Sequence, residues 1–317
     1  MADETRTQGR AASDADDVTF DREFVPAHGE AITVAPGVQR VTCGNASPFT
    51  FTGTNSYIVG AGSTVALIDP GPEDTAHFDA LMQALGQRTL SHIFVSHTHR
   101  DHSPLAARIK NATGALTVAE GAHRAARPLH AGEVNPFAES ADTDFVPDIV
   151  LADGASIEGD GFSLSGVHTP GHTANHCAFA LDGTGILFSA DHVMAWATTI
   201  VAPPDGSMGD FMASVDKLLA RDDRLFFPGH GGPVTEPRSF LRGLRTHRRM
   251  RERAILERIR SGDRLIADMV RVIYARTDPR LHGAAALSVL AHLEDLIEKG
   301  LVTTDGPPSL FGEYRPA

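Results

Sequence analysis

The sequence predicts a mixed α/β domain over residues 21–237, joined to a smaller, mainly helical domain over residues 238–317. Three observations carry that expectation. From about Ala31 to Pro233, short β-branched runs alternate with turn residues and a few helically spaced stretches. Several of those runs end in the same kind of loop, rich in Gly, Pro, His and Asp, so polar groups collect at the ends of successive strands. After about Pro237 the pattern turns to long helical stretches that finish in two short β-like runs around a Pro-rich turn.

Residues 1–20 are polar, acidic and rich in small side chains. A disordered tail is expected there, with no apolar segment to act as a signal or transit peptide. TNSYIVG (54–60) and TVALIDPG (64–71), separated by Ala61, Gly62 and Ser63, read as a hairpin. In DTAHFDALMQAL the spacing of Phe78, Leu81, Met82 and Leu85 predicts a helix. HIFVSH reads as a buried strand with His92 at its start, and Ser103 and Pro104 as the N-cap and first-turn proline of the helix PLAARIKNAT. FSLSGVHTPGHTANH, GILFSADHVM and RLFFPGHGGP each read as a β run ending in a His- or Asp-bearing loop. Phe211, Val215, Leu218 and Leu219 mark a helix before the last of them. SFLRGLRTHRRMRERAILERI, IADMVRVIYA and AAALSVLAHLEDLIEKG are helical, and LVTTDGPPSLFGEYR closes as a small hairpin. Helices closed in this way resemble a winged helix.

A length of 317 residues with 42% hydrophobic content suffices for a sizeable core. The net charge of −12 argues against a surface that binds nucleic acid or anionic lipid all over, while leaving room for a local basic face. Lysine occurs only at Lys110, Lys217 and Lys299, so almost all positive charge is arginine. No apolar run approaches the roughly 20 residues that span a bilayer, and a cytoplasmic protein is expected. Two cysteines, Cys43 and Cys177, make no disulfide framework and read as buried free thiols.

The chemistry is concentrated in FVSHTHRDHSP. In a tight loop after a strand, His97 and His99 face one point while Asp101 and His102 turn toward a neighbouring one, a geometry that serves two adjacent cations. Without a cation, bunched histidines would only repel one another on protonation. Further candidate ligands stand at other strand ends: His172 in HTPGHT, Asp191 in FSADH and His230 in FPGHGG. Gly171 and Gly229 precede two of them, as expected where the backbone turns sharply.

In their order and placement these motifs resemble those of the metallo-β-lactamase superfamily, over about Ala31 to Pro233. The resemblance implies an αββα sandwich with the site at one edge of its two sheets. It also implies that His97, His99 and His172 hold one metal ion, that Asp101, His102 and His230 hold a second, and that Asp191 bridges the two. Asp69 in LIDPG matches an aspartate that supports a ligand from behind, and His176 and His168 read as neighbours of ligands rather than ligands. Two Zn2+ ions per chain are expected, because His99 stands where flavodiiron oxidoreductases carry a glutamate and so favours zinc; Fe and Mn are the alternatives. A pair of cations about 3.5 to 4 Å apart holds hydroxide at neutral pH and stabilises the developing oxyanion. Asp101 and Asp191 are then the catalytic carboxylates. Trp196, Thr198 and Thr199 follow the bridging aspartate and are candidate cleft residues.

With its C-terminal helices and hairpin, the whole chain resembles the lactamase-beta-two-like branch, which appends a winged helix. That branch implies a metal-dependent hydrolase, either of a small or carrier-bound ester or thioester or, as the alternative, of single-stranded RNA. Arg242, Arg245, Arg248, Arg249, Arg251 and Arg253 read either as a site for phosphates or an acidic carrier, or as a solvated face paired to acidic groups. A persulfide dioxygenase, a β-lactamase or a nucleic-acid-binding regulator fits less well, the last because the wing TTDGPPSLFGE has no basic residue. No membrane partner is expected, and a homodimer remains open.

Overall fold

The structure, a computed structural model, describes residues 18–317. The expected tail lies outside the described residues except for its last three, which pack. The Phe20 ring meets Phe240 edge to face at 6.2 Å, and Val18 lies against Gly243.

Among the described residues, seven strands form the first sheet: β1 (Ile32–Ala35), β2 (Val38–Thr42), β3 (Asn55–Val59), β4 (Thr64–Ile68), β5 (Thr89–Phe94), β6 (Leu116–Ala119) and β7 (Ile149–Val150), in chain order across the sheet. The second holds β8 (Ser156–Gly159), β9 (Phe162–His168), β10 (Cys177–Leu181), β11 (Ile186–Ala190) and β12 (Leu225–Pro228), in the order β12-β11-β10-β9-β8. β1 to β4 are antiparallel neighbours, whereas β4, β5 and β6 run parallel because helices α1 (Thr75–Leu85) and α2 (Leu105–Thr113) cross over between them, and β7 adds in parallel after the long connection over residues 120–148. The expected hairpin is the β3–β4 pair, with Ile58 opposite Leu67.

The two sheets bury their inner faces against each other through Tyr57, Ile68, Phe94, Phe179, Phe188 and Phe227. On the outside of the first sheet, Leu81 and Leu85 of α1 and Leu105 and Ile109 of α2 cover Val65, Leu67 and Ile93. On the outside of the second, Phe211, Val215 and Leu218 of α3 (Met208–Leu219) cover Ala178, Leu187 and Phe226. The result is an α/β sandwich of helix, sheet, sheet and helix layers.

Helix α4 (Pro237–Arg260) belongs to both halves of the molecule. Its Leu241 and Leu244 pack in the outer layer with α3, while Ile255 and Ile259 enter a separate core with α5 (Ile266–Ile273), α6 (His282–Glu298), Val302 and Tyr314. The antiparallel pair β13 (Val302–Thr304) and β14 (Tyr314–Pro316) completes a winged-helix region, and Phe311 of its wing is 92% exposed.

Two local expectations are corrected. Ser103 does not cap α2; its hydroxyl donates to Asp142 at 2.6 Å instead, because the turn at His99–Ser103 already bonds the backbone. His92 sits inside β5 rather than at its start, since the strand begins at Thr89. Cys43 and Cys177 are buried free thiols, and burial pushes the Cys43 thiol up to about 11, so both are poor nucleophiles.

Candidate metal centre

Strands β4, β5, β9, β11 and β12 all deliver their C-terminal ends to one edge of the sandwich, and each carries a polar residue just beyond. β4 leads to Asp69 and β5 into the loop of His97, His99, Asp101 and His102. β9 leads to His172, β11 to Asp191 and β12 to His230. Two chain turns there are unusual. Asp69 and Ala190 have φ of 48° and 44°, the left-handed region that a Cβ disfavours, and each redirects the strand end toward the site.

Gly171 behaves as expected, with φ of 138° and no room for a Cβ, which would lie 2.4 Å from Phe211 Cα. Gly229 is needed for a different reason than a sharp turn. Its φ is not left-handed, but a Cβ would lie 2.5 Å from Asp191 Oδ1 and 2.7 Å from His102 Cε1.

The ligand atoms of His97, His99 and His172 lie within 4.8 Å of one another, as do those of Asp101, His102 and His230. A third such group joins the two, formed by His97, His102 and Asp191. The Asp191 carboxylate stands between the sets: Oδ2 is 3.3 Å from His230 Nε2 and 3.8 Å from His172 Nε2, while Oδ1 is 3.4 Å from His102 Nε2. Asp101 Oδ2 is 3.2 Å from His230 Nε2 and 3.4 Å from His102 Nε2.

The electrostatics divide along the same line. Burial, reinforced by neighbouring imidazoles, holds His97 and His99 well below the ordinary histidine range, His99 at about 3, and burial also lowers His172. These three are therefore neutral, the form that binds a cation. Burial opposes the charge on His102 and His230 as well, but Asp101 and Asp191 outweigh it, and His230 rises to about 9. Burial likewise opposes the charges of Asp101 and Asp191, which His102 and His230 nonetheless hold well below the carboxylate range.

A cation fits this donor set. His99 Nδ1 is 3.0 Å from both His97 Nε2 and His172 Nε2, and three neutral imidazoles converging on one point cannot satisfy one another with the protons they have. Asp191 Oδ1 is buried without a hydrogen-bond partner among the described residues. Leaving such groups unmet costs about 1–3 kcal/mol each, which a metal ion would relieve.

Behind the converging side chains lies a bracing shell. Asp69 Oδ2 is 3.0 Å from His102 Nδ1 and accepts from the Ser96 hydroxyl at 2.7 Å, while Oδ1 accepts from the Ser96 amide at 2.7 Å. His172 Nδ1 donates to the Ile200 carbonyl at 2.7 Å. His176 receives the Asp191 amide at 3.3 Å on Nε2, so it orients the aspartate from behind. His168 instead lies against the Leu151 carbonyl, away from the cluster. Ser96, and Asn55, which donates to the carbonyls of Pro228 and Gly231, carried no signal in the sequence because their partners are distant in the chain.

The site opens into a cavity of about 710 Å³ that reaches from the His/Asp cluster to the winged-helix region. Trp196, Thr198 and Thr199 line it, Trp196 stacked on Phe51 at 4.9 Å. The Thr199 hydroxyl is turned away, donating to the Asp191 carbonyl. Phe49 and Phe137, which meet edge to face at 6.5 Å, and Arg248, Arg251 and Tyr274 also line it and were not singled out as cleft residues.

Residues 49–230 match the model of the metallo-beta-lactamase superfamily. The chain belongs to that superfamily. Residues 266–307 match the beta-lactamase associated winged helix domain. The Beta-lactamase-like protein 2 homolog of Drosophila melanogaster is 30% identical over 306 residues, covering 90% of this chain and 99% of the relative. An atrochrysone carboxyl ACP thioesterase of Paecilomyces divaricatus is 32% identical over 203 residues, covering 63% of this chain and 57% of the relative. The crystal structure of a metallo-beta-lactamase family protein from Thermus thermophilus superposes with a TM-score of 0.72 at 25% identity, covering 90% of this chain and all of that one. This superfamily member therefore carries a His/Asp site suited to metal and the fold of a metallohydrolase. Among the described residues no helix is long and apolar enough to cross a membrane.

Proposed function

We propose that this chain is a zinc-dependent hydrolase of an acyl ester or thioester. His97, His99 and His172 would hold one ion and Asp101, His102 and His230 the other, with Asp191 shared, in a catalytic domain over residues 21–237. The observation that carries this reading is the Asp191 carboxylate, set between two ligand groups on the floor of a mainly apolar cavity. Zinc bound there supplies positive charge that polarises a scissile carbonyl and acidifies water at neutral pH.

The chain's own groups do the rest. Asp101, 27% exposed and the more open of the two carboxylates, stays ionised at the cavity floor and can orient a water by accepting its hydrogen bond. Phe49, Phe137, Trp196 and Ile200 offer an apolar wall for an acyl chain and exclude water from it. The thioesterase relative supports the substrate class.

Hydrolysis of single-stranded RNA is the second reading. It is favoured by aromatic faces and arginines in the same cavity, a combination that stacks bases and holds phosphates. The deciding experiment gives the zinc-loaded protein an acyl-thioester and a single-stranded RNA in parallel, each with a chelated control. Chelator-sensitive thioester turnover without RNA cleavage is the expected result; RNA cleavage alone would replace the first reading by the second.

A further inference from the structure

The arginine-rich helix α4 is not one solvated face. Arg242, Arg249 and Arg253 are exposed and Arg245 pairs with Asp216 at 2.9 Å, but Arg248 and Arg251 turn inward and line the cavity. Arg248 is only 4% exposed. It donates to the Thr199 carbonyl and lies over the Phe211 ring at 4.9 Å, while its Nε has no partner among the described residues. Arg251 donates to the Ile273 carbonyl at 3.2 Å and lies over the Tyr274 ring at 4.1 Å.

Neither arginine forms an ion pair among the described residues. That is unusual, because a buried cation is ordinarily matched by a carboxylate. Burial, with Arg251 adding repulsion, lowers Arg248 to about 10, a sign of a charge held without compensation. The acidic groups of the cavity lining are placed elsewhere: Asp101 and Asp191 belong to the metal cluster, Asp205 accepts twice from Asn135 at 2.9 Å, and Glu139 is exposed.

We propose that Arg248 and Arg251 form an oxyanion subsite of the cavity that takes a phosphate or carboxylate group carried by the substrate. The guanidinium fork suits such groups and keeps its charge at any working pH. The substrate is then an amphiphile, with its acyl ester bond at the metal cluster, an apolar portion along the aromatic wall and an anionic group on the winged-helix side. This deepens the acyl-ester reading and rests on it for the metal-side half; the subsite itself stands on the two arginines.

The test reads binding rather than turnover, through the fluorescence of Trp196, the single tryptophan of the chain and a cavity residue. Two matched pairs are titrated into the zinc-loaded protein: S-methyl-4′-phosphopantetheine against S-methyl-pantetheine, and hexanoate against hexanamide. At least one anionic member should bind about tenfold more tightly than its neutral partner, as charge-assisted hydrogen bonds imply. Arg251→Gln should erase most of that preference without weakening the neutral member, and Arg253→Gln, at an exposed position on the same helix, should keep it. The pair that shows the effect identifies phosphate or carboxylate as the recognised group. No preference in either pair, or one that survives both Arg251→Gln and Arg248→Lys, overturns the subsite. Because none of these probes carries an acyl ester or thioester bond, that outcome leaves the hydrolase reading standing, and failure of thioester turnover leaves this test intact.

Discussion

Asp69 Oδ2 and His102 Nδ1 lie 3.0 Å apart with both side chains buried, so the aspartate at the end of β4 decides which way an imidazole 33 residues later faces. A carboxylate on one ring nitrogen leaves the other, Nε2, to look toward His230, Asp101 and Asp191.

Asp69→Asn should therefore keep the fold, since asparagine tolerates the same left-handed backbone, and lower metal affinity by roughly 10- to 100-fold. Competition against a chelating dye measures this. Affinity equal to that of the unaltered protein would remove Asp69 from the site.

Asp191→Ala should lower bound metal and abolish hydrolysis, because the Asp191 carboxylate approaches both ligand groups. Elemental analysis and turnover are read on the same sample. Full activity with unchanged metal content would sink the shared-ligand assignment.

Gly229→Ala probes the same point sterically. The added methyl would meet Asp191 Oδ1 at 2.5 Å and His102 Cε1 at 2.7 Å, whereas at Gly232 it would meet only the edge of Phe24 at 3.4 Å. The first variant should lose metal while its circular dichroism stays native, and Gly232→Ala should lose little. Equal metal content in both would contradict the packing described.

His292 on α6 is buried with neither ring nitrogen hydrogen-bonded among the described residues. Burial, with Arg248, Arg251 and Lys299 adding repulsion, holds it well below its ordinary value. The unfolded chain then binds a proton near pH 6.5 that the folded chain refuses, so stability falls as pH drops below that value. The loss is about 1.4 kcal/mol per pH unit. His292→Leu should be at least as stable at pH 7.5, and its melting temperature should fall less between pH 7 and pH 5. Parallel melting curves for the two proteins would exclude His292 as the source of acid sensitivity.

The His/Asp string was legible because its information is chemical and local. Imidazoles and carboxylates bunched after an apolar strand have few roles besides holding a cation, and the later motifs repeat the arrangement in order. Helix α1 and the β3–β4 hairpin were legible for a related reason, since their periodicity lies within a dozen residues. The role of Ser103 was misread because an N-cap and a turn hydrogen-bonding elsewhere look alike locally, and only the distant Asp142 separates them.

By itself, then, the sequence determined a mixed α/β region followed by a helical one and the residue types able to hold metal, because each follows from patterns over short chain distances, while the layered sandwich was what the family resemblance implied. The tertiary structure decided what depends on residues far apart in the chain. It set Asp191 between two ligand groups and Asp69 behind His102. It also divided the arginines of α4, turning Arg248 and Arg251 into the cavity and leaving Arg242, Arg249 and Arg253 in solvent. The physical reason is that helical periodicity shows which residues share a face, whereas the packing partner of that face is supplied by α3, α5 and the loop at Thr199, whose position only the assembled fold establishes.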